Sequence, residues 1–234
     1  MRYAVYFTPP HDHPLTLAAQ RWLARDAFND AIYEPQPFGT LTAADVAFNI
    51  AAARRYGFHA TMVAPFELAD GMTETDLVDA LLSFCLRQVP FPVPLRIDTI
   101  GSFFALVPAR STDEVTALAR DAVEHFFPYC APLSDKELHR RMGTDLTMRQ
   151  LSLLHRWGYP YVMEEFRFHM TLTGPVNECE QHDVRSALKS HFAQCIEAPV
   201  NIDTLSLFVE PESGAAFRVL TSVPFRQVST RKTA

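Results

Sequence analysis

The chain has 234 residues, 48% of them hydrophobic and 21% charged, a composition that excludes disorder, collagen and coiled coil and supplies a sizeable core. A formal net charge of −6 excludes a broad nucleic-acid or lipid-binding surface, so any polyanion has to be bound in a local cleft. No apolar run approaches the roughly 20 residues that span a bilayer and the N-terminus is too short and polar for a signal peptide, which predicts a cytoplasmic protein with no membrane partner.

In chain order, Arg2 to Phe7 alternates as a strand, and Pro14 opens a helix through Leu23 that fades near Asn29. Ile32 to Gly39, with two prolines, reads as loop; Thr42 to Ala53 is Ala-rich and helical, and Gly57 to Val63 is a short strand. Thr73 with Asp76 caps a helix carrying Leu77, Leu81 and Phe84. Leu95 to Ile100 and Phe103 to Val107 form a hairpin about Gly101-Ser102, and Ser111 with Glu114 starts the next helix. Ser134 with Glu137 and the run Thr147 to Trp157, stopped by Gly158, make a helical connector. Arg167 to Thr173 is a strand, Glu178 to Cys195 a helix, Val200 to Val209 and Ala215 to Val223 strands, and Gln227 to Ala234 a polar tail expected to fray. Cys85, Cys130, Cys179 and Cys195 lie far apart, as free thiols and not as a zinc or redox motif.

The second half repeats the first. Phe58-His59-Ala60-Thr61 through Pro65 matches Phe168-His169-Met170-Thr171 through Pro175 in Phe, His, Thr and Pro at identical spacing. Ile97-Asp98-Thr99 and Ile202-Asp203-Thr204 follow, starting 38 and 33 residues after the respective histidines. A lone H-x-T carries little information, whereas two in matching contexts point to lobes related by a pseudo-twofold axis. On a strand, His59 and Thr61 project to one side and Phe58, Ala60 and Met62 to the other; the same alternation groups His169, Thr171, Thr173 and Arg167. Two such faces would line a cleft with two imidazoles and hydroxyls. Histidines titrating near 6.5 can serve as base and acid, and threonine hydroxyls with an arginine can bind phosphate oxygens. That is the equipment for cleaving a phosphodiester without a metal.

The paired F-H-x-T motifs resemble the 2H phosphoesterase superfamily, which includes RNA 2',3'-cyclic phosphodiesterases. Tyr3 to Phe7, Arg55-Tyr56-Gly57-Phe58-His59-Ala60-Thr61, and the stretch from Arg156-Trp157-Gly158 through Gly174-Pro175 are similar to a bacterial branch encoded beside carbon-phosphorus lyase genes for phosphonate use. The resemblance implies an α+β, bilobal fold with antiparallel sheets lining a central cleft and helices outside. It also implies catalytic His59 and His169, with Thr61 and Thr171 holding phosphate. Val63 stands where that branch often has lysine.

The expected organisation is therefore one bilobal domain: residues 1–130 with His59, a connector over 131–160, and 161–234 with His169. The expected substrate is a small cyclic phosphate or phosphodiester, a phosphorylated sugar in preference to RNA, with no cofactor, no metal and no obligate protein partner. RNA-end processing and non-enzymatic binding of phosphate esters are the alternatives. Arg167, Thr173 and Tyr6 are candidate substrate contacts, Arg167 competing with pairing to Glu164 or Glu165. The H-x-H pair His11 and His13 reads as a solvated loop, and Trp157, Tyr159 and Tyr161 read as a packed aromatic cluster that could alternatively stack on a base or ribose.

Overall fold

The computed structural model describes residues 1–142 and 145–226. The polar tail from Gln227 onward lies outside the described residues.

Strand β1 (Arg2–Phe7) is buried from Tyr3 onward because both of its faces are covered: Tyr3, Val5 and Phe7 enter the main core, while Ala4 and Tyr6 join a smaller cluster with Phe208 and Phe217. Helix α1 (Pro14–Leu23) starts on the fixed φ of Pro14, with the His13 ring accepting the Leu15 N–H, and its Trp22 indole donates to the Leu172 carbonyl at 2.8 Å. A small hairpin, β2 (Arg25–Asp26) with β3 (Ala31–Ile32), occupies the stretch over which the helix was expected to fade, and meets the expected loop only at Ile32. Helices α2 (Ala43–Arg54) and α3 (Glu74–Cys85) open on complete capping boxes, Thr42 with Asp45 and Thr73 with Asp76. Between them runs β4 (Ala60–Phe66).

Short strand β5 (Phe91–Val93) precedes the hairpin β6 (Leu95–Ile100) and β7 (Phe103–Pro108). Helix α4 (Asp113–Phe126) is preceded by Thr112 and has no side-chain cap, so the Ser111–Glu114 signal is not used. The connector holds α5 (Asp135–Met142) and α6 (Met148–Trp157), the latter capped by Thr147 and Gln150 and stopped by Gly158 in the left-handed region. Then come β8 (Met170–Pro175), α7 (Gln181–Phe192), β9 (Val200–Ile202), β10 (Thr204–Glu210) and β11 (Arg218–Pro224).

Seven strands form one antiparallel sheet in the order β11-β10-β1-β4-β8-β7-β6, and β5 pairs with β9 separately. The class is α+β, as expected. The central join is a single pair, Ala60 with Met170. The hairpins are exchanged about it: the β6–β7 hairpin joins β8 through β7, whereas the β10–β11 hairpin joins β1, on the β4 side, through β10. The wings of the sheet therefore do not coincide with the sequence halves 1–130 and 161–234. Helices α1, α2, α3, α4 and α7 bury their apolar faces in one core that includes Phe7, Met62, Met170 and Leu207.

Glu210, fully buried at the end of β10, is held by Arg2 from β1 and Arg55 from the turn after α2, and accepts the Gly214 N–H at 3.1 Å. The Arg55 carbonyl in turn accepts the Phe217 N–H at 2.9 Å and the Arg25 guanidinium at 2.8 Å. This cluster ties the turn entering β4 to the far wing of the sheet. Removing one partner strands the others, so Glu210→Ala is expected to cost roughly 3–5 kcal/mol. Urea unfolding checks it: the midpoint should fall with the slope unchanged.

Candidate active site

The pair Ala60–Met170 runs antiparallel, so counting one residue outward sets Thr61 opposite His169 and His59 opposite Thr171. Ala60 and Met170 are buried in the core, and their neighbours therefore turn to the other face. Phe58 and Phe168, both buried, anchor the two motifs from the core side. All four polar side chains are half-buried and line one cavity of about 530 Å³.

Each imidazole is fixed by the carbonyl two residues before it. His59 Nδ1 lies 3.0 Å from the Gly57 oxygen, and His169 Nδ1 lies 2.7 Å from the Arg167 oxygen. A carbonyl only accepts, so Nδ1 carries the proton in both rings and Nε2 is left to act in the cavity. Gly57 is indispensable to this arrangement: its φ is +72°, and a Cβ there would sit 2.7 Å from the Ala27 Cβ. The hydroxyls of Thr61 and Thr171 make no hydrogen bond among the described residues and are available to a ligand.

The two rings have different surroundings. Tyr6 stacks on His59 with centroids 3.8 Å apart, and Phe103 flanks His169 at 5.9 Å. Burial is the main cause that pushes the His59 pKa down, to about 4, opposed by the Gly57 carbonyl and reinforced by the charge of His169. Burial also lowers His169, against the Arg167 carbonyl.

Tyr6 lines the cavity. Thr173 borders it, but its hydroxyl is spent: it accepts the Phe104 N–H at 2.9 Å and donates to the Gly174 carbonyl at 2.7 Å. The reason is a register shift between β7 and β8, where Phe103 pairs with Pro175 but Ala105 with Thr171, which breaks the alternation after Thr171. The matching position in the first repeat, Val63, turns into the core beyond a similar irregularity between β1 and β4. Arg167 precedes β8; its exposed side chain borders an adjoining cavity with His169, Tyr161 and Glu165, while its carbonyl orients His169.

Sequence periodicity missed Tyr56, Phe103, Arg140 and Arg141 as lining residues. Tyr159 and Tyr161 also line the cavity, whereas Trp157 packs against Phe127. Arg141 serves the wall, donating to the carbonyls of Gly158 at 2.6 Å and Pro65 at 2.5 Å, while Arg140 is half exposed and bonded to Glu137. Among the described residues no group of three or more His, Cys, Asp or Glu side chains gathers as a metal site.

A histidine near 6.5 when unfolded and about 4 when folded binds more protons in the unfolded state between those values, so its contribution to stability falls as pH drops through that window. NMR titration should find His59 neutral with Nδ1 protonated down to about pH 4. His59→Asn should flatten the loss of unfolding free energy between pH 6.5 and 4.

A family model described as "Protein of unknown function (DUF1045)" matches residues 61–218. Two curated relatives, both named ribose 1,5-bisphosphate phosphokinase PhnN, come from Janthinobacterium sp. (strain Marseille) and Laribacter hongkongensis (strain HLHK9). They are 37% and 38% identical over 229 and 220 residues, covering 96% and 94% of this chain but 51% and 50% of theirs. The chain thus spans about half the length of these relatives. Among solved structures, E. coli LigT complexed with 3'-AMP is 12% identical with a TM-score of 0.42, and a crystal structure of a phosphoesterase is 13% identical with a TM-score of 0.41. Both alignments cover 97% of this chain and 98% of the other. With the family model spanning most of its length, the chain belongs to the DUF1045 family.

Proposed function

We propose that this chain is a phosphoesterase that opens a small cyclic phosphate or hydrolyses a small phosphodiester with its two histidines. The observation that carries this reading is the shared cavity, in which two imidazoles anchored at Nδ1 stand beside two free threonine hydroxyls on one sheet face. Thr61 and Thr171 donate to the non-bridging oxygens. One Nε2 takes a proton from water as the water oxygen bonds to phosphorus, and the other Nε2–H gives a proton to the departing ester oxygen as its P–O bond breaks. Charge moves only between groups already in place, so both proton transfers proceed on side chains of this chain.

His59, the ring held more firmly neutral, is the base, and His169 is the acid. Favouring a phosphorylated sugar over RNA are the cavity's size, within the range of about 300–1,000 Å³ usual for small-molecule sites, and the net charge of −6. The relatives' name adds a chemical link. Water opening a cyclic phosphate on a phosphorylated sugar yields a sugar bisphosphate, the kind of compound a ribose 1,5-bisphosphate phosphokinase takes.

Turnover of sugar cyclic phosphates, nucleoside 2',3'-cyclic phosphates and short RNA decides the substrate. Cleavage of RNA ends alone would transfer the reading to RNA processing, and binding without cleavage of any ester would make the chain a binding module. His59→Ala and His169→Ala should each lower kcat by roughly 100- to 10,000-fold while the circular dichroism spectrum is retained.

Productive free enzyme needs His59 neutral and His169 protonated. The kcat/KM profile should therefore rise through about pH 4 and fall below the ordinary histidine value, giving an optimum on the acidic side. A plateau extending above pH 8 would refute the assignment of His169 as acid.

A further inference from the structure

Two sequence features have no part in the cleft: the H-x-H pair His11 and His13, and the second Ile-Asp-Thr repeat. The fold brings them together. A cavity of about 370 Å³ opens where the end of β1 meets β10 and β11, bordered by His11, Thr8, Asp203 and Ser222. None of its lining residues borders the cavity of the two imidazoles.

Most polar groups here are already committed. His11 bonds Asp26 at 2.8 Å, the Thr204 hydroxyl donates to the Val223 carbonyl at 3.0 Å, and the Ser222 hydroxyl bonds that of Ser206 at 2.7 Å. Two are not. Thr8 Oγ1, on a residue only 1% exposed, and the buried Asp203 Oδ1 have no hydrogen-bond partner among the described residues. The repeat supplies the comparison: Asp98, in the matching position of the first half, has Oδ1 bonded to the Thr99 N–H at 2.8 Å and Oδ2 paired with Arg96. A buried carboxylate oxygen and a buried hydroxyl left without partners cost free energy that a donor from outside would recover.

The walls identify the donor. No lysine or arginine lines the cavity, while Phe28, Phe225 and three prolines form its apolar sides. Burial is the main cause that holds the Asp203 carboxyl above its usual pKa range, opposed by its own backbone N–H and by nearby His13, whose ring burial in turn pushes down. An acceptor-rich cavity with aromatic walls repels phosphate and suits a cation on a short hydrocarbon body. We propose that this cavity is a second binding site, for a small organic ammonium ion held by Asp203 Oδ1 and Thr8 Oγ1.

Putrescine titrated into the 15N-labelled full chain at pH 7 tests this, with 1,4-butanediol as the uncharged analogue of equal length and ribose as a polyol. The expected result is saturable shifts of the Thr8, Asp203 and Phe225 amides with putrescine alone. Binding should weaken at least tenfold in Asp203→Asn and in Thr8→Val. The second variant is close to isosteric at a hydroxyl that bonds nothing, so it reports even if the first misfolds. Absence of saturable shifts, equal shifts with the diol or ribose, or binding indifferent to both variants would each overturn the proposal.

Discussion

One backbone pair, Ala60 with Met170, governs the rest of the molecule. Because side chains on paired strands share a face, that register alone sends two alanine- and methionine-sized groups into the core and four polar side chains to the opposite side. A slip of one residue in either strand would bury that strand's imidazole and expose its anchoring phenylalanine. The register is defended on each side: Trp22 bonds the Leu172 carbonyl from α1, and Phe7 packs against Phe168 at 6.2 Å. Gly174, whose absent Cβ would come within 3.4 Å of Ala52, lets α2 press closely on β8.

Placing a ring in a cleft is not the same as aiming it. The Gly57 and Arg167 carbonyls fix the tautomer, and Gly57 can present its oxygen only because it occupies a left-handed conformation that no side chain could share so close to Ala27. The turn that carries it is held by the Arg2–Glu210–Arg55 cluster and by Arg25, so a buried ion network at the sheet's far wing bears on the geometry of His59. Its stabilisation is spent on holding that turn in one place.

The local elements were legible in the sequence where a short-range rule sufficed. The capping pair at Thr73 and the stop at Gly158 are one-turn interactions, and both are formed, whereas the Ser111–Glu114 signal is not used. The duplicated motif gave the grouping of His59, Thr61, His169 and Thr171 because alternation holds over two residues. It failed at Thr173, where an irregular β7–β8 register reassigns the hydroxyl to backbone. Arg167 contributes through its carbonyl, which residue identity does not encode. Tyr56, Tyr159 and Arg140 reach the cavity from a turn, a loop and a helix whose placement depends on tertiary packing, and the exchange of hairpins between the halves has no local signature at all.

Duplication gives two equivalent histidines, yet acid–base chemistry needs two that differ. Identical pockets would give identical intrinsic pKa values, and mutual repulsion would separate the two titration steps without deciding which ring stayed protonated. Here the difference is built into the surroundings. His59 lies under the ring of buried Tyr6, at the side of the sheet enclosed by the Phe208–Phe217 cluster, whereas His169 faces Phe103 and an adjoining cavity rimmed by exposed Tyr161 and Arg167. Burial therefore bears harder on one imidazole than on its repeat partner, and the charge of His169 lowers His59 further. Each motif strand has a different outer neighbour, β1 beside β4 and β7 beside β8, and so inherits a different wall. The Asp98 and Asp203 pair diverges in the same way, one bridged by its own strand at the surface and the other with one carboxylate oxygen enclosed and unbonded. The two repeats thus share a backbone plan while their walls assign them different chemistry.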